Sequence, residues 1–271
     1  MNALYWLAAK GVQLMQALTA ESVEQHLHTA RFGHPLRVVD CTDSTNTLAR
    51  RWAAQGAPEG ACVIADRQTA GRGRRGRTFF SPAGGVYLSL VLRPAAGTDP
   101  GFITSCAAVA ASRAIERFSD FPVQIKWVND LLIGGRKVCG ILTEGELEPE
   151  TGSLRYAVLG IGINVEAAVL PPELQSIATS LANEGCRVER GVLIAALLEE
   201  WEQAYDAMSS GAFLAESRRR SAVLGRTVTV QRGEERFTAA AESIDELGRL
   251  VVRTADGIRH TLHSGEVSLK L

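Results

Sequence analysis

Residues 69–82 read TAGRGRRGRTFFSP, and how this stretch is read decides the fold. Arg72, Arg74, Arg75 and Arg77 are spaced by Gly71, Gly73 and Gly76, with Arg67 just upstream. GRGRRGRT fits the phosphate-loop spacing, with Arg77 where lysine belongs. A phosphate loop, however, must open directly into a helix whose first amides hold the phosphates. Here Phe79, Phe80, Ser81, Pro82, Gly84 and Gly85 follow, then β-type residues, so no helix starts there. The loop therefore joins two strands. Two readings of its chemistry stay open. One is a solvated basic run, such as a localisation signal or nucleic-acid patch. The other is a loop closing over an anion, because arginine forks match phosphate and carboxylate oxygens in pairs and glycine lets the backbone approach closely.

The flanking segments give the architecture. Upstream, LRVVDC (36–41) and ACVIAD (61–66) read as strands; DSTNTLARRWAAQG between them reads as a helix capped by Asp43 or Ser44 and stopped by Gly56. Downstream, GVYLSLVL (85–92) is a strand, and apolar residues at 103, 107, 110, 114 and 118 recur at helical spacing. VQIKWV and KVCGIL are strands joined in a hairpin across LIGGR, and YAVLGIGINV (156–165) is a further strand. Ile194, Leu197, Leu198, Trp201, Tyr205 and Met208 mark an amphipathic helix ended by Gly211. Beyond Val223, short β segments are punctuated by RGEE, DELG and ADG, which predicts a small β-barrel. The expectation is an α+β protein: a mixed sheet with helices packed on one face over 36–221, a barrel over 222–271, and a helical extension over 1–35.

Bulk composition narrows the function. A hydrophobic share of 46% with 22% charged residues describes a soluble globular chain. A net charge of -1 argues against general coating of nucleic acid, so the basic character belongs to a local site. The five cysteines are scattered in or beside apolar runs without a C-x-x-C pair, which predicts buried free thiols in a reducing cytoplasm. His26/His28 and His260/His263 lack companions for a metal site. The apolar N-terminus is interrupted by Lys10 and is too short to span a membrane.

Four segments in order resemble the biotin protein ligase family. DSTN (43–46) is similar to its serine-threonine-asparagine turn, and GRGRRGR to its arginine-glycine loop. KWVNDLLIGGRKVCGILTE (126–144) is similar to its K-W-P-N-D…K-x-x-G-I-L segment, and GIGIN (160–164) to its G-x-G-x-N strand end. The resemblance covers roughly residues 38–270 and implies a class II synthetase-like catalytic domain followed by an SH3-like barrel. It also implies the chemistry: biotin and ATP as substrates, Mg²⁺ as cofactor, and a biotin carboxyl carrier domain as acceptor. A carboxylate is a poor acyl donor until AMP is attached to it. The obstacle is bringing it onto the α-phosphate of a polyanion, which calls for positioning and charge neutralisation and for no protein nucleophile.

By that resemblance Ser44, Thr45, Asn46 and Gln68 line the biotin pocket with Gly71, Arg72, Gly73, Arg74, Lys137, Gly140 and Gly160. Small hydrogen-bonding side chains at a helix start suit a neutral ureido ring, although Ser44 also reads as a simple helix cap. Arg74, Arg75, Arg77, Phe79, Lys126, Asn129, Asp130 and Asn164 are assigned to ATP, with Asp130 also holding Mg²⁺. Arg72, Arg74 and Lys137 are the residues expected to act in catalysis. Gly162, with Gly160, keeps the strand end thin for a ligand. Two departures stand out. Phe79 replaces the family's tryptophan and has no N–H, and Val128 replaces a proline, which frees φ and restores an N–H. Some relatives carry a winged helix-turn-helix and repress transcription. The residues ahead of Ser44 lack that pattern, so no specific DNA binding and no repressor role are expected. Relatives also form homodimers through their central sheets, a property the sequence itself leaves open.

Overall fold

The computed structural model describes residues 17–148, 150, 154–166, 170–263 and 266–269. A seven-stranded mixed sheet forms the body. Its strands are β1 (Leu36–Thr42), β2 (Cys62–Gln68), β3 (Val86–Leu92), β4 (Gln124–Lys126), β5 (Asp130–Ile133), β6 (Arg136–Leu147) and β7 (Leu154–Ile163). The order is β1-β2-β3-β7-β6-β5-β4; β1 and β2 run parallel and every other neighbour pair is antiparallel.

Among the described residues five α-helices accompany these strands: α1 (Ala20–Glu24), α2 (Thr45–Ala54), α3 (Pro100–Glu116), α4 (Arg190–Asp206) and α5 (Phe213–Arg219). α3 starts at Asp99, whose carboxylate caps the Gly101 amide at 2.6 Å, with Pro100 at the first helical position. Its residues from Ile103 to Ile115 are almost all buried, because α3 is covered by the sheet on one side and by α4 and α5 on the other. Cys62, Ile64, Leu88, Leu90, Leu159 and Ile161 point from the sheet into this core. At about 1.5–3 kcal/mol per large apolar side chain removed from water, this layer dominates the folding energy.

Alternate residues of the same strands face the other way. Val63, Val91, Tyr156 and Val158 form a smaller cluster with Ala49 and Ala53 of α2. The expectation of helices on one face thus holds for the main layer, with α2 as an addition on the opposite face. That opposite face carries the site.

Other expectations meet the structure in detail. The VQIKWV strand ends at Lys126, and Leu132 and Ile133, read as part of the joining turn, belong to β5, so the hairpin turns only at Gly134 and Gly135. Those two glycines sit at φ 57° and 79°, which a residue without Cβ adopts freely. α4 ends at Asp206, two residues before Met208, and a single 3₁₀ turn (Met208–Ser210) carries the chain to Gly211 at φ 69°. Of the helical extension, residues 1–16 lie outside the described residues; within 17–35 only α1 is helical. Residues 30–32 are instead anchored irregularly on α4, where the Glu202 carboxylate accepts the amides of Ala30, Arg31 and Phe32 at 2.9, 2.8 and 3.3 Å. Cys62, Cys106, Cys139 and Cys186 are buried and free, but Cys41 is exposed, because β1 is the edge of the sheet.

After α5 the chain forms a five-stranded antiparallel sheet from β8 (Thr227–Arg232), β9 (Glu235–Ile244), β10 (Leu250–Thr254), β11 (Arg259–Leu262) and β12 (Glu266–Leu269). Its order is β11-β10-β9-β8-β12, and among the described residues no β11–β12 pairing closes it into a barrel. It is tied to the main body at β4. Ile125 donates its amide to the Arg220 carbonyl at 2.8 Å and accepts the Ala222 amide at 2.8 Å.

Candidate active site

The C-terminal end of β2, the start of α2, the arginine loop and the face of β3, β7, β6 and β5 opposite α3 line a cavity of about 160 Å³. Ser44, Thr45, Asn46, Gln68, Arg72, Gly73, Arg74, Arg75, Arg77, Phe79, Lys126, Asn129, Asp130, Lys137, Gly140, Gly160 and Gly162 all line it. Four segments far apart in sequence therefore converge on one space.

One end is neutral and preorganised. Ser44 occupies the N-cap position of α2, yet its hydroxyl makes no capping hydrogen bond, so the simple capping reading fails. Thr45 donates its amide to Gln68 Oε1 at 2.8 Å, and Gln68 Nε2 donates to Ser81 Oγ at 2.8 Å. Ser89, fully buried on β3, sits 2.8 Å from Thr45 Oγ1 and donates to Asn46 Oδ1 at 2.6 Å. Asn46 Nδ2 in turn donates to Glu144 Oε2 at 2.8 Å. Gly160 is required here, since a Cβ on it would lie 2.1 Å from Asn46 Oδ1.

The other end is cationic. Lys137 reaches it through a β-bulge. Leu131 pairs with Cys139 and Leu132 with Lys137, so Val138 is the extra residue. Val138, Cys139 and Ile141 all enter the core, and Lys137 is turned onto the same face as Gly140. Its ammonium lies 2.6 Å from Asp130 Oδ1 rather than snorkelling outward. Asn129 bridges this pair to the arginine loop, donating to Asp130 Oδ1 at 3.1 Å and accepting from Arg74 Nη1 at 3.0 Å. The backbone of Lys137 is held by residues 177–179, donating to the Ile177 carbonyl and accepting the Thr179 amide at 2.8 Å each. Burial pushes the neighbouring Cys139 thiol well up, so it stays neutral behind the lysine.

The arginine loop is a narrow hairpin. Gln68 pairs with Ser81, Gly71 with Phe79, and Gly73 with Arg77 at backbone distances of 3.0, 2.9 and 2.7 Å. Arg72 lies 2.7 Å from Glu144 Oε1, and Arg75 donates to the Gln231 carbonyl on β8 at 3.1 Å. Phe79 lays its ring over Gly140 and Gly162, where a Cβ would approach it to 2.9 and 2.5 Å, and packs edge-on to Tyr87 at 6.3 Å.

Two expected residues lie outside the cavity wall. Gly71 is buried at the neck of the hairpin, where a Cβ would meet the Phe79 carbonyl at 2.3 Å, so it serves loop closure. Asn164 commits its amide to the Thr179 carbonyl at 2.8 Å, pinning the segment that holds Lys137. Glu144, Ser89, Trp127 and Tyr87 were missed. Glu144 ends the quoted 126–144 stretch, but nothing in sequence pairs it with Arg72, 72 positions away (144 − 72). For Asp130 as a metal residue, the donor set is one carboxylate, and no cluster of three metal-ligating side chains exists among the described residues. That fits a magnesium ion held chiefly by substrate phosphates.

A strand-joining cationic loop beside a neutral hydrogen-bonding pocket, on a mixed sheet followed by a small β unit, can hold a neutral polar ring next to anionic groups. Residues 38–164 match the Biotin/lipoate A/B protein ligase family, and residues 223–270 match the Biotin protein ligase C terminal domain. The chain is 36% identical to a bifunctional ligase/repressor BirA from Bacillus spizizenii, over 96% of this chain and 82% of the relative. It is 33% identical to a biotin--[acetyl-CoA-carboxylase] ligase from Mycobacterium tuberculosis, over 88% and 91%. A biotin protein ligase from Aquifex aeolicus, solved in complex with biotin and ATP, superposes with a TM-score of 0.75 at 28% identity, covering 87% of this chain and 98% of that one. This chain belongs to the biotin protein ligase family. No helix among the described residues is long and apolar enough to cross a membrane.

Proposed function

We propose that the chain activates biotin with ATP and transfers it to a lysine of a biotin carboxyl carrier domain. In the first step a biotin carboxylate oxygen attacks the α-phosphorus, giving biotinyl-5'-AMP and pyrophosphate. In the second a lysine ε-amine attacks the anhydride carbonyl, and AMP and a proton leave.

One observation carries this reading: the neutral Ser44–Thr45–Asn46–Gln68 end and the cationic Arg74–Lys126–Lys137 end share one cavity. The neutral end suits a cyclic urea, which donates two N–H groups and accepts at one oxygen. The cationic end offsets the repulsion between a carboxylate and a triphosphate. Lys137, between Phe79 and Asp130, takes the position where both anions meet. Arg74, Arg75, Arg77 and Lys126 take the phosphates, and Phe79 offers the adenine an apolar face. Asp130 would hold Mg²⁺, which when bound neutralises phosphate charge.

Four further parts belong to this reading. The acceptor is a carboxylase carrier domain, supported by the names of relatives such as the mycobacterial one. No repressor role is assigned to these 271 residues, although the Bacillus spizizenii relative is named a ligase/repressor. The free cysteines support a reducing cytoplasm. If two copies pair, the β1 edge is the one that no further strand covers among the described residues, whereas Ser221 bridges to β4.

The test is incubation with ATP, Mg²⁺, biotin and a purified carrier domain. A biotinyl mass increase on a single carrier lysine is expected. An unmodified carrier, or equal modification with lipoate, defeats the proposal.

A further inference from the structure

Glu144 touches no part of the cavity, yet three of its neighbours converge on it. Its side chain is 15% exposed, and Oε1 lies 2.7 Å from Arg72 Nη2 and 3.6 Å from Arg50 Nη2. Oε2 accepts the Asn46 amide at 2.8 Å. Asn46 and Arg72 both line the cavity, one from the start of α2 and the other from the arginine loop. Residues 140, 142 and 144 of β6 share the face that carries the site, so this carboxylate stands directly behind the wall.

A carboxylate in this position, together with the Leu142 carbonyl that accepts the same Nδ2 at a longer 3.4 Å, removes a choice that Asn46 would otherwise have. An amide presents NH₂ on one side and C=O on the other, and the two orientations are equal in shape. Against an ionised carboxylate only NH₂ can face Glu144, because the flipped amide would set two acceptors against each other. The remaining oxygen is thereby directed toward Ser89, at 2.6 Å, and toward the space above Gly160. Asn46 is 4% exposed and Ser89 fully buried, so bulk water offers no alternative partner. The same carboxylate holds Arg72, and with it the first turn of the loop, against the sheet.

We infer that Glu144 is a positioning residue that fixes the donor and acceptor pattern shown to the ligand's urea ring and docks the arginine loop beside it. This deepens the ligase reading and rests on it. Glu144 makes the neutral pocket and the cationic loop one unit: removing its charge frees the amide to flip and releases Arg72 together.

The experiment compares wild type with Glu144→Gln and Glu144→Asp in biotin-dependent ATP–pyrophosphate exchange, with thermal melting of each. Glu144→Gln is nearly isosteric, and loses a charge-assisted acceptor on each side. It is expected to raise KM for biotin roughly tenfold to a hundredfold while KM for ATP moves less than about threefold. Glu144→Asp keeps the charge and is expected to recover part of the loss. A folded Glu144→Gln protein with wild-type KM for biotin overturns the assignment, as does a proportionate rise in both KM values. A wild-type protein without biotin-dependent exchange overturns the ligase reading itself. Should Glu144→Gln fail to fold, the Glu144→Asp split between the two KM values decides the point.

Discussion

The indole N–H of Trp127 donates a 2.9 Å hydrogen bond to the backbone carbonyl of Gly248. Trp127 belongs to the Lys126–Asp130 wall of the cavity, and Gly248 to the turn between β9 and β10. The Lys126–Asp130 side of the site is therefore braced by the C-terminal sheet. Arg75 makes a second such contact at Gln231, and Val267 of β12 reaches the cavity wall.

Trp127→Phe keeps an aromatic ring but deletes the N–H donor and the pyrrole half of the indole. Leaving the Gly248 carbonyl unsatisfied in a buried contact costs about 1–3 kcal/mol. Thermal melting should show this loss, and exchange kinetics should show KM for ATP rising more than KM for biotin. Unchanged kinetics with a lowered Tm would mean the brace serves folding alone.

Gly160→Ala puts a methyl 2.1 Å from Asn46 Oδ1, an atom already bound to buried Ser89. Asn46 must leave its network or the strand must move, at about 1–3 kcal/mol. Biotin affinity should fall at least tenfold, measured by calorimetric titration. Affinity within twofold of wild type would show that the neutral pocket is not where the ligand sits.

Acid should loosen the hinge between the two sheets. Arg220, just before the linker, contacts Glu116 at 2.6 and 2.7 Å and Glu216 at 2.8 Å. Burial alone would push the Glu116 carboxyl up, but the Arg220 guanidinium and the Val123 amide outweigh it and hold it below the ordinary glutamate value. Glu216 behaves likewise, with Arg113 and Arg220 outweighing burial. A carboxyl depressed in the folded state binds protons more weakly than in the unfolded chain. The stability it contributes is thus full above the ordinary value, about 4.3, and is lost as pH falls through the folded one. Melting curves between pH 7 and pH 3 should show the gap between wild type and Arg220→Gln closing at the acid end. A gap independent of pH would contradict this.

Much of this was legible in the sequence, and the failures have physical causes. The absence of a helix start after Arg77 sufficed to make the arginine segment a strand-joining loop, because Pro82 and the flanking glycines leave no other option. Lys137 was placed at the site by its motif alone, because simple alternation fails at Val138; the bulge that turns it inward depends on pairing with β5. Gly71 and Asn164 carried the right motif but serve the loop neck and the segment beside Lys137, roles set by contacts with Ser81 and Thr179. Glu144 went unread because its partners come from α2 and the arginine loop. Cys41 was expected in the core, and its exposure follows from strand order, which local patterning does not encode.

The central claim is that the arginine loop and Lys137 let a carboxylate meet ATP in this cavity. Exchange of labelled pyrophosphate into ATP reports that step alone, without the acceptor domain. The account predicts exchange that depends on biotin, is absent with lipoate, and is lost by at least a hundredfold in Arg74→Ala and Lys137→Ala proteins that melt like wild type. Exchange without biotin, or retained in folded Lys137→Ala protein, would contradict it.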